Sequence, residues 1–238
     1  MELAFLPLSQ MLVYHRHASR NNFVMIIDLH THTYPLSDDS KLGPDELIQQ
    51  AKEAGLDGIC LTEHDHFWEE DEIARLRNAH DFLILPGVEL NVEIGHILVF
   101  GLHSYVFGMH HFDFVRQAVD DAGGFIILAH PYRRRFREWE EQSLASAVEK
   151  AWQDANLKLV DAIEVLSGTG SKAENEFSLE LCHRLNLKGT GGSDAHSPSD
   201  MPSCGTLFER EISSLSELVQ ELKAGRFSAV SLPRRPGE

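Results

Sequence analysis

Two pairs of metal-competent side chains stand far apart in this 238-residue chain: His30 and His32 in Asp28-Leu29-His30-Thr31-His32, and Asp194 and His196 in Ser193-Asp194-Ala195-His196. Each pair follows a short apolar run, residues 23–27 before the first and 187–190 before the second. Residues i and i+2 of a strand share a face, so each pair aims two ligands at one point. Other strand ends extend the pattern, with His64 after the second, Glu89 after the third and His130 before Pro131. His96 lies inside an apolar strand between Gly95 and Ile97, facing inward, and Asp38 sits in the polar turn Ser37-Asp38-Asp39-Ser40, where Asp39 competes with it. A lone strand-end His is more often a hydrogen-bonded core residue. The set as a whole speaks against that, because buried imidazoles without partners are costly. Six His and three carboxylates are too many for one tetrahedral ion with an open position. They suit two or three divalent ions bridged by a carboxylate and a hydroxide. Imidazole donors favour Zn²⁺, Mn²⁺ or Fe²⁺ over Mg²⁺. Asp28, beside Leu29-His30, is placed to fix an imidazole tautomer. His66 is left out of the set. The seven remaining His residues fall in helices, loops or the first residues and read as surface groups.

The elements that must position these groups alternate between strand and helix. Strands are expected at 23–28, 58–62, 82–86, 94–101, 125–129, 160–165, 187–190, 205–208 and 227–230. Helices are expected at 43–54, 69–79, 112–122, 138–156, 173–185 and 216–223, several with apolar residues at helical spacing. Parallel strands joined by crossover helices mean an α/β fold, and this many units without a doubly wound phosphate loop predict a barrel, whose functional groups sit at strand C-terminal ends. Without a low-complexity linker or fixed-period repeat, residues 25–238 read as one domain. Met25 stands directly before Ile26-Ile27-Asp28, so residues 1–24 are expected to be an extension that carries no chemistry.

Composition narrows the partners. A formal charge of −16, from 21 basic and 37 acidic residues, argues against a long nucleic acid or an anionic membrane. A small phosphorylated substrate remains compatible, since divalent ions reverse the sign inside a pocket. Cys60, Cys182 and Cys204 are isolated and odd in number, which suits a reducing cytoplasm better than a disulfide framework. No apolar run approaches the ~20 residues that span a bilayer, and no basic segment precedes the apolar patch at 3–8 to make a signal peptide.

The ordered motifs resemble those of the PHP domain (polymerase and histidinol phosphatase) family of metal-dependent phosphoesterases. They are residues 28–32, Ser37-Asp38, Gly55-Leu56-Asp57-Gly58-Ile59, Leu61-Thr62-Glu63-His64-Asp65, Pro86-Gly87-Val88-Glu89, Gly95-His96-Ile97-Leu98, Ala129-His130-Pro131, Ile163-Glu164-Val165 and residues 192–196. The resemblance covers about Ile26 to Phe227 and implies a distorted seven-stranded, TIM-like barrel with a trinuclear cluster. It implies nine ligands: His30, His32, Asp38, His64, Glu89, His96, His130, Asp194 and His196. By analogy His30, His32, Glu89 and Asp194 hold one ion, and Glu89 bridges to a second held also by His64 and His130. Asp38, His96 and His196 complete the set. Glu89, Asp194 and His196 are the expected catalytic groups. Two positions depart from the family: Glu63 replaces the usual Asp of Thr-Asp-His, and Asp39 stands where a glycine is common. The helical insertion that some relatives carry after the middle of the barrel is missing.

The dense basic run Tyr132-Arg133-Arg134-Arg135-Phe136-Arg137 follows His130-Pro131 at the expected mouth. Guanidinium groups clamp phosphate in a fork, so Arg133, Arg134 and Arg135 are the candidate phosphate contacts. The competing reading is a solvated loop paired to Glu138, Glu140 and Glu141. Two other functions stay open: a metal-binding regulatory module without turnover, and C–N hydrolysis as in amidohydrolases. The latter often use a carboxylated lysine as bridge, and Lys41, Lys52, Lys150 and Lys158 are not at strand ends.

Overall fold

In the computed structural model the described residues are 24–135, 143–200 and 202–233. All of the expected extension except Val24 lies outside them. The strands are β1 (Met25–Thr31), β2 (Gly58–Leu61), β3 (Leu83–Pro86), β4 (Val88–Val92), β5 (Gly95–Phe100), β6 (Phe125–Leu128), β7 (Ala162–Ser167), β8 (Lys188–Gly192), β9 (Cys204–Phe208) and β10 (Phe227–Ser231). The helices are α1 (Pro44–Ala54), α2 (Glu70–His80), α3 (Phe112–Ala122), the short α4 (Tyr132–Arg135), α5 (Leu144–Gln153), α6 (Lys172–Leu185) and α7 (Leu215–Lys223). Local chemistry sets their ends. Pro44 opens α1, Gly55 closes it at φ 83°, and Ser171 with Glu174 forms a capping box on α6.

The mixed α/β class holds, but the described strands form two five-stranded sheets and no single closed ladder. One sheet runs β10-β9-β1-β2-β3 and the other β4-β5-β6-β7-β8. The expectation of parallel strands throughout fails because β4 and β5 form a tight antiparallel hairpin, and β6 pairs antiparallel to β5. In the other sheet β9 runs antiparallel to both β1 and β10. Residues 88–92 form a strand of their own directly after Pro86-Gly87, where the third expected strand stops, so Glu89 lies within a strand and not after one. The long helix expected at 138–156 is shorter: α5 begins at Leu144, residues 136–142 lie outside the described residues, and a 3-10 turn spans Asn156–Leu159.

Three apolar clusters hold the layers together. Ile26, Ile59 and Ile84 pack under α1 and α2, while Ile97, Ile126 and Ile163 pack under α3, α5 and α6. Between the sheets Ile27, Leu98 and Ile127 meet Leu218 and Leu222 of α7, each side chain contributing roughly 1.5–3 kcal/mol by burial. The sheets touch through two isolated parallel bridges, Thr31 with Ala195 and His64 with Glu89. Both seams fall among the metal-competent residues.

Candidate metal centre

Glu89 is the hub. Its buried carboxylate, carried on β4, meets five imidazoles. Oε1 is 2.7 Å from His96 Nδ1, 3.1 Å from His130 Nε2 and 3.4 Å from His30 Nε2. Oε2 is 2.9 Å from His64 Nδ1 and 3.2 Å from His32 Nε2, yet accepts no hydrogen bond from either. Asp194, just after β8, brings Oδ1 to 3.5 Å from His30 Nε2, His32 Nε2 and His196 Nδ1. His30 and His32 of β1 turn their Nε2 atoms towards each other at 3.0 Å.

This donor set fits divalent cations. Four overlapping triads each place their ligand atoms within 4.8 Å of one another: His30, Glu89 and His130; His30, His32 and Asp194; His64, Glu89 and His96; His32, His64 and His196. Lone pairs crowded at such separations repel unless a positive charge lies among them. The unpaired, buried Glu89 oxygen is the clearest sign of such a place.

The local field has the same character. Burial alone would lower the His30 pKa, but Glu164, Glu89 and Asp194 hold it well above its ordinary value. Burial would raise Glu89, yet the charge of His30 and the hydrogen bond from His130 hold it well below the usual carboxylate range. Asp194 is likewise held low by His30 and His130 against the pull of burial. Burial dominates at His32, pushed down to about 4 despite Glu89, and at Asp28, pushed up to about 6 despite hydrogen bonds from Ser193. Three carboxylates focused on one imidazole would hold a cation as readily as a proton.

Orientation comes from behind the cluster. His30 Nδ1 faces Glu164 Oε1 of β7 at 2.9 Å, so Nδ1 carries the hydrogen and Nε2 turns inward. The other Glu164 oxygen accepts the His130 backbone N–H at 3.0 Å. His196 Nδ1 donates to its neighbour's carbonyl, Asp194 O, at 2.9 Å. Gly192 makes room for this arrangement: a Cβ there would lie 2.5 Å from His30 Cβ and 2.8 Å from Glu164 Oε1. Asp28 Oδ1 accepts backbone N–H groups of His30 and Ser193 and touches no ring nitrogen, so it fixes backbone and not the tautomer expected of it.

Eight of the nine expected ligands thus converge: His30, His32, His64, Glu89, His96, His130, Asp194 and His196. At the ninth position the structure separates the two neighbours. Both are exposed, but Asp39 Oδ2 lies 3.2 Å from His64 Nε2 and 3.5 Å from His196 Nε2, while Asp38 pairs with none of the cluster imidazoles. Turn geometry decided this, and sequence spacing could not. Asp39→Ala should weaken Mn²⁺ binding roughly 10- to 100-fold, and Asp38→Ala should leave it unchanged, as read by calorimetric titration. Arg133 reaches the cluster: one terminal nitrogen binds Asp194 Oδ2, and the other donates to Thr169 Oγ1 at 3.0 Å and Ser167 Oγ at 3.4 Å. The side chains of Arg134 and Arg135 lie outside the described residues. Glu164, Thr169, Glu63 and Ser37 were not named as site residues. An acid inside the apolar run Ile163-Glu164-Val165 was the available signal for the first.

The family model described as the PHP domain matches residues 28–191, and that described as PHP-associated matches residues 172–227. No curated protein matches this sequence. In fold the chain is similar to a two-domain protein from Bacteroides vulgatus containing a predicted PHP-like metal-dependent phosphoesterase. The TM-score is 0.63 at 18% identity, over 89% of this chain and 66% of that one, so this chain spans just under two thirds of its length. PsfC from Pseudomonas syringae gives a TM-score of 0.58 at 20% identity, over 87% of this chain and 91% of that one. An amidohydrolase from Chromobacterium violaceum with bound sulfate gives 0.53 at 19% identity, over 74% of this chain and 89% of that one. At these identities the likeness is one of fold.

Proposed function

This chain belongs to the PHP domain family, and on that premise we propose that it hydrolyses small phosphate esters at the Glu89-centred cluster. The observation that carries the reading is one buried carboxylate meeting five imidazoles, with overlapping donor triads on either side of it. Two or three divalent ions of the Zn, Mn or Fe type, when bound there, supply Lewis acidity towards water and phosphate oxygens. The protein's part is to hold that charge rigidly and to admit the ester from one side. Asp39, His64 and His196 have side chains exposed by 54, 27 and 23%, while His30, His32, Glu89 and Asp194 are buried. The phosphate therefore enters between Asp39, His196 and Arg133, and the buried ligands exclude water from the far side. The two sheets correspond in this reading to the halves of a distorted TIM-like barrel, meeting at the two bridged seams.

Arg133 has three of its five N–H groups engaged by Asp194, Ser167 and Thr169, and its Nε–H lies 3.9 Å from Glu174 Oε1, which leaves one uncommitted terminal N–H for phosphate and not a fork. Losing one charged hydrogen bond costs about 1.5–3 kcal/mol. Arg133→Ala should therefore raise KM for a phosphomonoester at least roughly 10-fold, and lower kcat as well because Asp194 loses a partner. Unchanged steady-state kinetics would remove Arg133 from the site.

The reading as a whole is tested by metal analysis of the purified protein alongside inorganic phosphate release from a phosphomonoester panel. Phosphate release that disappears with chelator and returns with Mn²⁺ or Zn²⁺ is the expected result. Amine release from amides with no phosphate release would overturn it in favour of C–N hydrolysis. Bound metal without either product would leave a regulatory module.

A further inference from the structure

We propose that Glu63, acting through Ser37, is the positioning residue that fixes the tautomer of His32 and the seat of the turn carrying Asp39. The inference rests on the ion-binding reading of the cluster and concerns how the chain prepares it. Glu63 is fully buried beside His64 and lies outside the donor triads. Its carboxylate accepts four bonds: Oε1 from Thr33 Oγ1 at 2.5 Å and Trp68 Nε1 at 3.2 Å, Oε2 from the Thr33 backbone N–H at 2.8 Å and Ser37 Oγ at 2.5 Å. Four donors match the four lone-pair directions of a carboxylate.

The consequence runs through one hydroxyl. Ser37 has a single hydrogen, and Glu63 takes it. The oxygen's two lone pairs then accept the His64 backbone N–H at 3.3 Å and His32 Nδ1 at 3.2 Å. His32 must therefore carry its hydrogen on Nδ1, which leaves Nε2 bare towards Glu89, His30 and Asp194. The same bonds clamp the turn. Ser37 N–H donates to Thr33 O at 2.8 Å, and Ser40 Oγ donates to His32 O and His196 O at 2.9 and 3.2 Å, with Asp39 held between.

A glutamine at position 63 cannot reproduce this set. Its amide NH₂ would face either the Thr33 N–H or the Trp68 N–H, both of which only donate. If it took the Oε2 side it would donate to Ser37, whose hydrogen would turn to His32 Nδ1 and drive the ring's own hydrogen onto Nε2, towards the ions.

The test uses the metal-stripped chain with Mn²⁺ as probe. Long-range ¹H–¹⁵N spectra of the unsubstituted protein should show His32 as the Nδ1–H tautomer, and calorimetry of Ser37→Ala and Glu63→Gln should show Mn²⁺ affinity reduced roughly 10- to 100-fold. Neither readout depends on turnover, so a chain that releases no phosphate still answers the question. A His32 ring protonated on Nε2 in the unsubstituted protein would overturn the inference. So would wild-type Mn²⁺ affinity in a folded Ser37→Ala, a change that removes one hydroxyl and survives even if Glu63→Gln fails to fold.

Discussion

Glu89→Gln should abolish cation binding at the centre of the cluster and lower kcat/KM for a phosphomonoester by about 10³-fold or more, equivalent to about 4 kcal/mol. Glutamine keeps the shape of glutamate, so the effect isolates charge and hydrogen placement. Its NH₂ must occupy one of two positions. One faces His96 Nδ1 and His130 Nε2 at 2.7 and 3.1 Å, and the other faces His64 Nδ1 and His32 Nε2 at 2.9 and 3.2 Å. Either choice turns a donor into space that the surrounding nitrogens require as an acceptor. The negative charge that binds the two seams' ligands together is lost as well. Elemental analysis of the purified variant and initial-rate kinetics give the two readouts. Full metal content with a near-normal rate would show that Glu89 neither bridges nor holds an ion. Glu93→Gln, in the hairpin after β4 and half exposed, is the matching control and should change neither readout.

Glu164→Ala should be the most destabilising single change near the site. It strips acceptors from His30 Nδ1 and from the His130 backbone N–H at once, both buried. Each orphaned donor costs about 1–3 kcal/mol, so the pair lowers stability by about 2–6 kcal/mol. In a chain of this size that corresponds to a fall in Tm of roughly 4–24 °C by thermal scanning. The void cannot be closed by Gly192, which already packs against His30 and Glu164. Glu164→Gln should recover part of the loss, since one oxygen can still serve His30 or His130 but the NH₂ meets a donor at the other. A Glu164→Ala variant with wild-type Tm would mean that neither bond contributes to the fold. Metal affinity should fall roughly 10- to 100-fold in parallel, because His30 is no longer oriented.

Much of the cluster was legible because its ligands sit where short apolar runs stop: His64 after β2, His130 after β6, Asp194 and His196 after β8. A strand's end is a local event, written in a few neighbouring residues. Glu89 was found for the right residue type in the wrong setting, within β4 and not beyond β3, because Pro86-Gly87 reads as the end of a strand although β4 starts directly after it. The choice between Asp38 and Asp39 was not legible, since it depends on how residues 33–40 fold back onto Glu63 and His196, contacts spanning 26 and 156 residues. Glu63 itself read as a departure beside His64. Only the three-dimensional count of its four donors gives it a task. The sheet topology was also out of reach: turning one expected barrel into two sheets required antiparallel pairings that apolar spacing does not encode.

The two bridged seams tie the order of synthesis to the birth of the site. His30 and Glu89 leave the ribosome early, whereas Asp194 and His196 come more than a hundred residues later. Until β8 has docked beside β1, the nascent protein can assemble only the part of the centre built around Glu89 from His30, His64, His96 and His130. The part that needs Asp194 and His196 is completed last, and a fragment stopped short of residue 196 would leave His30 and His32 without those late partners.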